Sequence, residues 1–321
     1  VKWERRGAGF SCTSGGAPAD NSCDDSFPFP WRSADAVMAR PMPSVPTVPG
    51  YELLTPLGGG PLTCVYGARD AADDRPCAVK LLRTEWADDL TAIKLLQREA
   101  RAGFAVRHPH LVRIVHAHVL TPPYFLVMEL LKGESLRRRL RRDYRLDAHT
   151  AVWAARQTAE ALAALHAAGF VHGDVKPDNV RLVEDGTAVL LDLGFAHRPG
   201  ENDALWRQGY VLGTADYLAP ELCRPEPQGG SASDLFSLGV TLFETLTGKL
   251  PFPRGTLGQT FRRHGCDPPA DVRRNGVPVP RELAHLVARL LARRPEERPK
   301  AAVVVRQLIA LEIAALRRRA G

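Results

Sequence analysis

The chain has 321 residues, 45% hydrophobic and 25% charged, with a formal net charge of +7. This length and balance suit one large core or two lobes and do not suit a disordered or fibrous chain. No apolar run reaches the roughly 18 residues of a bilayer span, and the charged start at residues 1–6 has no apolar segment after it, so neither a membrane anchor nor a secretory signal is expected. Six scattered cysteines (Cys12, Cys23, Cys64, Cys77, Cys223, Cys266) contain no C-x-x-C pair. That pattern argues against zinc and for a reducing, cytoplasmic setting.

Residues 1–48 are rich in Gly, Pro, Ser and Ala and lack apolar periodicity, which predicts a disordered tail, with a short docked piece at 27–31 as the alternative. Ordered structure is expected from Tyr51. Strand-like runs follow at 51–54, 64–68, 77–82, 112–115 and 124–128, interrupted by a helix at about 90–106 with Ile93, Leu96 and Ala100 on one face. From Leu136 the pattern turns helical: 150–168 ending at Gly169, 233–246 ending at Gly248, 282–291 and 301–316. Short strand-like pieces at 180–182 and 188–191 lie between the first two. The arginine cluster at 137–142 reads as a solvated helix face, and a second lies at 317–319. A sheet-rich lobe followed by a helical one, with the chemistry at their junction, is the architecture this predicts.

Two stretches concentrate the chemistry. His172-Gly173-Asp174-Val175-Lys176-Pro177-Asp178-Asn179 and Asp192-Leu193-Gly194 supply a carboxylate, an ammonium, an amide and a second carboxylate. Phosphoryl transfer needs those groups: charge neutralisation at the phosphates, positioning, and a base near the attacking hydroxyl. Upstream, Leu57-Gly58-Gly59-Gly60-Pro61-Leu62-Thr63-Cys64-Val65 sits between strand-like runs, and its glycines let backbone N–H groups approach an anion. A plain hairpin turn is the other reading of that stretch. Cys77-Ala78-Val79-Lys80 ends an apolar strand, and Glu99 lies on the helix after it.

Taken in order, these motifs resemble a eukaryotic-like Ser/Thr protein kinase of the bacterial type over about residues 51–316. The resemblance implies an α+β, bilobal protein-kinase-like fold, with an N-lobe and hinge at 51–131 and a helical C-lobe at 132–316. It also implies ATP with Mg²⁺ or Mn²⁺ as cofactors and protein substrates as partners. Neither nucleic acid nor a membrane anchor is expected. In a chain of this kind Leu57, Gly58, Gly59, Gly60, Val65 and Ala78 would line the nucleotide, and Lys80, oriented by Glu99, would hold its phosphates. The hinge backbone of Glu129 and Leu131 would meet the adenine, with Met128 at the gate of the pocket behind. Asp174 would be the base, Lys176 would steady the transferring group, and Asn179 and Asp192 would ligate metal. Glu221 of Ala219-Pro220-Glu221 would pair with Arg298, and Asp234 would bond the catalytic-loop backbone.

Departures from the family pattern are specific. Thr63 stands where the third glycine belongs, and Pro61 removes an N–H from the loop tip, which predicts weaker ATP binding or a slower turnover, not an absence of chemistry. Leu193 replaces a phenylalanine. Gly173 replaces the arginine that receives an activation-segment phosphate, and residues 193–212 contain no Ser or Thr, Tyr210 being the only hydroxyl. Activity independent of Ser/Thr phosphorylation in that segment is therefore expected. A pseudokinase with a weakened phosphate loop stays open as the alternative. A phosphotransferase of the aminoglycoside-kinase kind is disfavoured by Lys176 and the 219–221 anchor, and a pure interaction protein leaves the complete catalytic set unexplained.

Overall fold

The computed structural model describes residues 46–207, 211–224, 227–275 and 278–320. The tail expected at 1–48 lies outside the described residues up to residue 45, as do the docked piece at 27–31 and Tyr210. Just before Tyr51, Val48 is buried and bridges to it.

The first lobe is a five-stranded antiparallel sheet, ordered β1-β2-β3-β5-β4, with one helix against it. Its strands are β1 (Tyr51–Gly59), β2 (Thr63–Asp70), β3 (Pro76–Leu82), β4 (Ile114–His118) and β5 (Phe125–Glu129). Helix α1 (Leu90–Ala105) starts where the Asp89 carboxylate accepts the Ala92 N–H at 2.8 Å, a side-chain cap on an otherwise unpaired donor. Its apolar face, Ala92, Leu96 and Ala100, packs with Leu82, Ile114 and Leu126. Gly103 lets α1 approach β4 closely, for a Cβ there would lie 2.4 Å from the Ile114 side chain.

The second lobe is helical apart from a small sheet ordered β6 (Gly133–Ser135), β7 (Val180–Val183) and β8 (Ala188–Leu190). Helices α2 (Leu136–Asp143), α3 (Ala148–Ala167), α4 (Asp203–Arg207), α5 (Ser231–Thr247), α6 (Leu257–Cys266), α7 (Arg281–Leu290) and α8 (Ala301–Ala320) complete it. α5 is the lobe's axis: Ser233 through Thr247 are all buried, and Gly248 closes the helix in the left-handed conformation. Burying side chains such as Phe236 and Phe243, each at 0% exposure, contributes about 1.5–3 kcal/mol apiece. No helix among the described residues is long and apolar enough to cross a membrane.

The expected α+β bilobal architecture is present, with four local differences. The strand expected at 112–115 begins instead at Ile114, because Val112 N–H bonds the Leu190 carbonyl at 2.9 Å and joins the first lobe to the second. β6, α4 and α6 carry too few apolar residues to have announced themselves. The glycine-rich stretch is strand through Gly59 and turns only at 60–62. The arginines of α2 are not uniformly solvated. Arg137 is half-buried, 2.6 Å from Glu244 and 3.1 Å from Asp178, and also bonds Tyr217.

Candidate active site

The strand pairing of the first lobe sets one wall. Lys80 on β3 lies opposite Val65 on β2 and Leu126 on β5, and Ala78 lies opposite Gly67 and Met128. Lys80 is buried, and its Nζ donates to Glu99 Oε1 and Oε2 at 2.9 and 2.8 Å and to Asp192 Oδ1 at 2.7 Å. Burial alone would push the ammonium toward neutrality, but the carboxylates of Asp192 and Glu99 overcome it and raise its pKa. Burial would likewise raise Asp192, yet Lys80 and the Gly194 N–H hold its carboxyl down at about 2. It is an anion at any physiological pH, with 40% of its side chain exposed toward the cleft.

The opposite wall is the loop after α3. Asp174, 3% exposed, meets Lys176 Nζ at 2.6 Å and accepts the Thr214 hydroxyl at 2.7 Å, while Lys176 donates to Thr214 Oγ1 at 2.6 Å. Asn179 Nδ2 donates to the Asp174 carbonyl at 2.8 Å and carboxylate at 3.1 Å, which leaves its amide oxygen for a cation. The Leu191 N–H donates to the Asn179 carbonyl at 2.7 Å, tying the residue before Asp192 to this loop. Thr214 reaches Asp174 because Gly213 adopts φ +97° against the Gly173 carbonyl, where a Cβ would stand 2.7 Å away.

Asp234, at the start of α5, accepts the His172 and Gly173 amides at 2.8 and 2.9 Å and His166 Nε2 at 2.8 Å. Buried at 1% exposure, its carboxyl would rise, but His166, the charge of His172 and the Gly173 amide lower it. Glu221 and Arg298 form a two-pronged pair at 2.7 and 2.8 Å, with the Arg298 side chain fully buried.

The remaining expected residues sit around the rim. Leu57, Gly58, Gly59 and Gly60 are exposed on β1 and the following turn. The Gly60 N–H is taken by the Thr63 carbonyl at 2.9 Å. The tip is tethered from the β3–α1 connection, where Arg83 Nε donates to the Gly60 carbonyl at 3.2 Å and Trp86 Nε1 to the Pro61 carbonyl at 3.1 Å. Met128, Glu129 and Leu131 are partly buried where β5 leaves the sheet, and the Glu129 N–H is used by the Arg113 carbonyl at 3.1 Å. The sequence reading missed His166, Arg83 and Trp86. It also missed that Thr214 links Lys176 and Asp174. None of the four has a local pattern that sets it apart; each acts through a partner distant in the chain.

The protein kinase domain family matches residues 51–308. Among curated proteins, the chain is 37% identical over 239 residues to the serine/threonine-protein kinase PkaB of Streptomyces coelicolor, covering 71% of this chain and 55% of that one. It is 31% identical to PrkC of Bacillus subtilis (77% of this chain, 38% of that one) and 34% identical to PknD of Mycobacterium tuberculosis (77% and 37%). The chain thus spans between about two fifths and just over half the length of these relatives.

Proposed function

Since the chain belongs to the bacterial eukaryotic-like Ser/Thr protein kinase family, we propose that it transfers the γ-phosphoryl group of ATP to Ser/Thr hydroxyls of protein substrates. Members of this family use ATP and a divalent metal. The observation that carries the reading is the buried Lys80–Glu99 pair at 2.8 Å beside the ionised Asp192. A fixed ammonium facing an anionic carboxylate is what a metal-bound triphosphate requires.

Asp192 and the Asn179 amide offer hard oxygen donors, which suit Mg²⁺ or Mn²⁺. No cluster of three or more His, Cys, Asp or Glu able to hold a metal occurs among the described residues. That fits, because Mg²⁺ usually takes only one or two protein carboxylates and completes its shell with phosphates and water. When bound, the ion supplies charge neutralisation at the phosphates.

The chain's own residues do the rest. Lys80, held by Glu99, exchanges its bond to Asp192 for phosphate oxygens. Asp174 accepts the proton from the substrate hydroxyl and orients that oxygen. Lys176, 2.6 Å from the same carboxylate, balances charge on the transferring group. Thr214 holds Lys176 and Asp174 in register. Residues Leu57 to Gly60, Val65 and Ala78 line the nucleotide, and the backbone at Glu129 and Leu131 with Met128 receives its base.

Phosphate transfer from labelled ATP with Mg²⁺ to a generic basic protein tests this, wild type against Asp174→Asn. Label on Ser or Thr that vanishes in the variant is the expected result. ATP binding without transfer by wild type would favour the nucleotide-binding pseudokinase instead. The observation on that side is the loop tip, where Pro61 has no N–H and that of Gly60 is already used.

A further inference from the structure

Helix α1 carries two arginines flanking the Glu99 that pairs with Lys80. One turn of the segment between Asp192 and Gly213 holds both. Arg98 donates to the Asn202 side-chain oxygen at 2.8 Å and to the Glu201 carbonyl at 2.9 Å. Arg101 meets Glu201 Oε2 at 2.6 Å, and the same oxygen accepts the Arg198 N–H at 2.9 Å. Asn202 is 2% exposed. Burial would raise the Glu201 carboxyl, but the bonds from Arg101 and the Arg198 N–H, with the charges of Arg101 and Arg98, hold it below its ordinary value. It is charged at neutral pH. The Arg101 and Arg198 guanidinium groups also sit over the buried Phe170 ring, 5.7 and 5.1 Å from its centre, just before the catalytic loop. The turn therefore bridges α1 and the base of that loop.

Two features of the chain remove a phosphate on Ser or Thr as a means of holding the segment. Residues 193–212 offer no Ser or Thr hydroxyl to phosphorylate. Gly173, next to Asp174, has no side chain to receive a phosphate; at φ +82° a Cβ there would lie 2.9 Å from the Phe195 carbonyl. The cations that face the segment come from α1, and a carboxylate written into the chain already meets them.

We propose that Glu201 and Asn202 are positioning residues. Through Arg98 and Arg101 they hold α1 so that Glu99 stays on Lys80, and they make phosphoryl transfer independent of phosphate on the segment. This rests on the phosphoryl-transfer reading above. The physical basis is that α1 is a rigid element pinned at two points, so releasing the outer point frees Glu99 to swing off Lys80.

The test uses the full chain, shown by mass spectrometry to be free of phosphate, with Glu201→Gln and Arg101→Gln as variants and Glu201→Asp as the conservative control. Transfer from labelled ATP and hydrogen exchange of the α1 amides are measured on each. The expected result is full activity of phosphate-free wild type, with no rise on preincubation with ATP. Both Gln variants are expected to lose about tenfold in kcat, to keep KM for the acceptor and to exchange α1 amides faster, while Glu201→Asp recovers most of both. Wild-type rate and wild-type α1 exchange in the Gln variants would overturn the proposal. So would a phosphate-free wild type that reaches full rate only after phosphate is added to the segment, at Tyr210. If wild type transfers nothing, the phosphoryl-transfer reading fails, and the exchange comparison still decides whether Glu201 and Arg101 hold α1.

Discussion

Lys80 and Asp192 form a 2.7 Å ion pair although they lie 112 positions apart in the chain. The pair crosses from the sheet of the first lobe to the loop after β8 in the second, and Glu99 shares the same ammonium. The lobes are thus joined by the groups proposed to handle phosphate and metal.

Replacing Asp192 with Asn removes the anion and leaves Lys80 on Glu99. Transfer should fall at least about 10²-fold, and raising Mg²⁺ should not recover it. A Mg²⁺ titration of transfer rate checks this, and near-normal rates at saturating metal would disprove the assignment.

The loop tip is stiffened by Trp86 as well as by Pro61. Trp86→Phe keeps the ring and loses the N–H that holds the Pro61 carbonyl. It should raise KM for ATP about threefold with little change in kcat, whereas Pro61→Gly with Thr63→Gly should lower KM. Unchanged KM in both would mean that the tip does not touch the phosphates.

Arginines of similar appearance in the sequence differ in consequence. Arg298 is fully buried on Glu221, and Arg137 sits on the buried Glu244, whereas Arg141 is exposed. Removing one member of a buried pair strands the other charge, so Arg298→Met should cost about 3–5 kcal/mol and Arg137→Ala a comparable amount, with the Arg298→Met/Glu221→Leu pair costing less. Arg141→Ala should stay within about 0.5 kcal/mol. Urea unfolding of the four variants against wild type gives the ranking.

His264 is buried against Phe236 and Phe252, and its Nδ1–H donates to the Leu218 carbonyl at 2.7 Å, while His197 is buried at 4% exposure. Burial lowers both pKa values below 6.5. As pH falls through 6.5 the unfolded chain takes up protons that the fold refuses, so stability is full above that value and declines until the folded pKa is reached. Tm should be lower at about pH 5.5 than at about pH 7.5, with a shallower decline in His264→Gln. Equal slopes would place the acid sensitivity elsewhere.

Much of the site was legible because its chemistry is local in the chain. Asp174, Lys176 and Asn179 fall within one loop, Asp192 follows one hairpin later, and apolar periodicity located Lys80 and Glu99 on the strand and helix that carry them. Gly173 and the absence of Ser and Thr at 193–212 were also plain, since composition needs no fold. The spacing of those residues and the two-lobed order of strands and helices were determined by sequence alone, because hydrogen-bonding period and side-chain type are properties of short segments. Tertiary structure decided the rest: that Glu201 meets Arg101, that Trp86 holds Pro61, that Thr214 links Lys176 to Asp174, and that Arg137 is a half-buried partner of the buried Glu244 while Arg141 faces water. Each of those contacts depends on the distance and burial that packing imposes between segments far apart in the chain, and no local pattern encodes either.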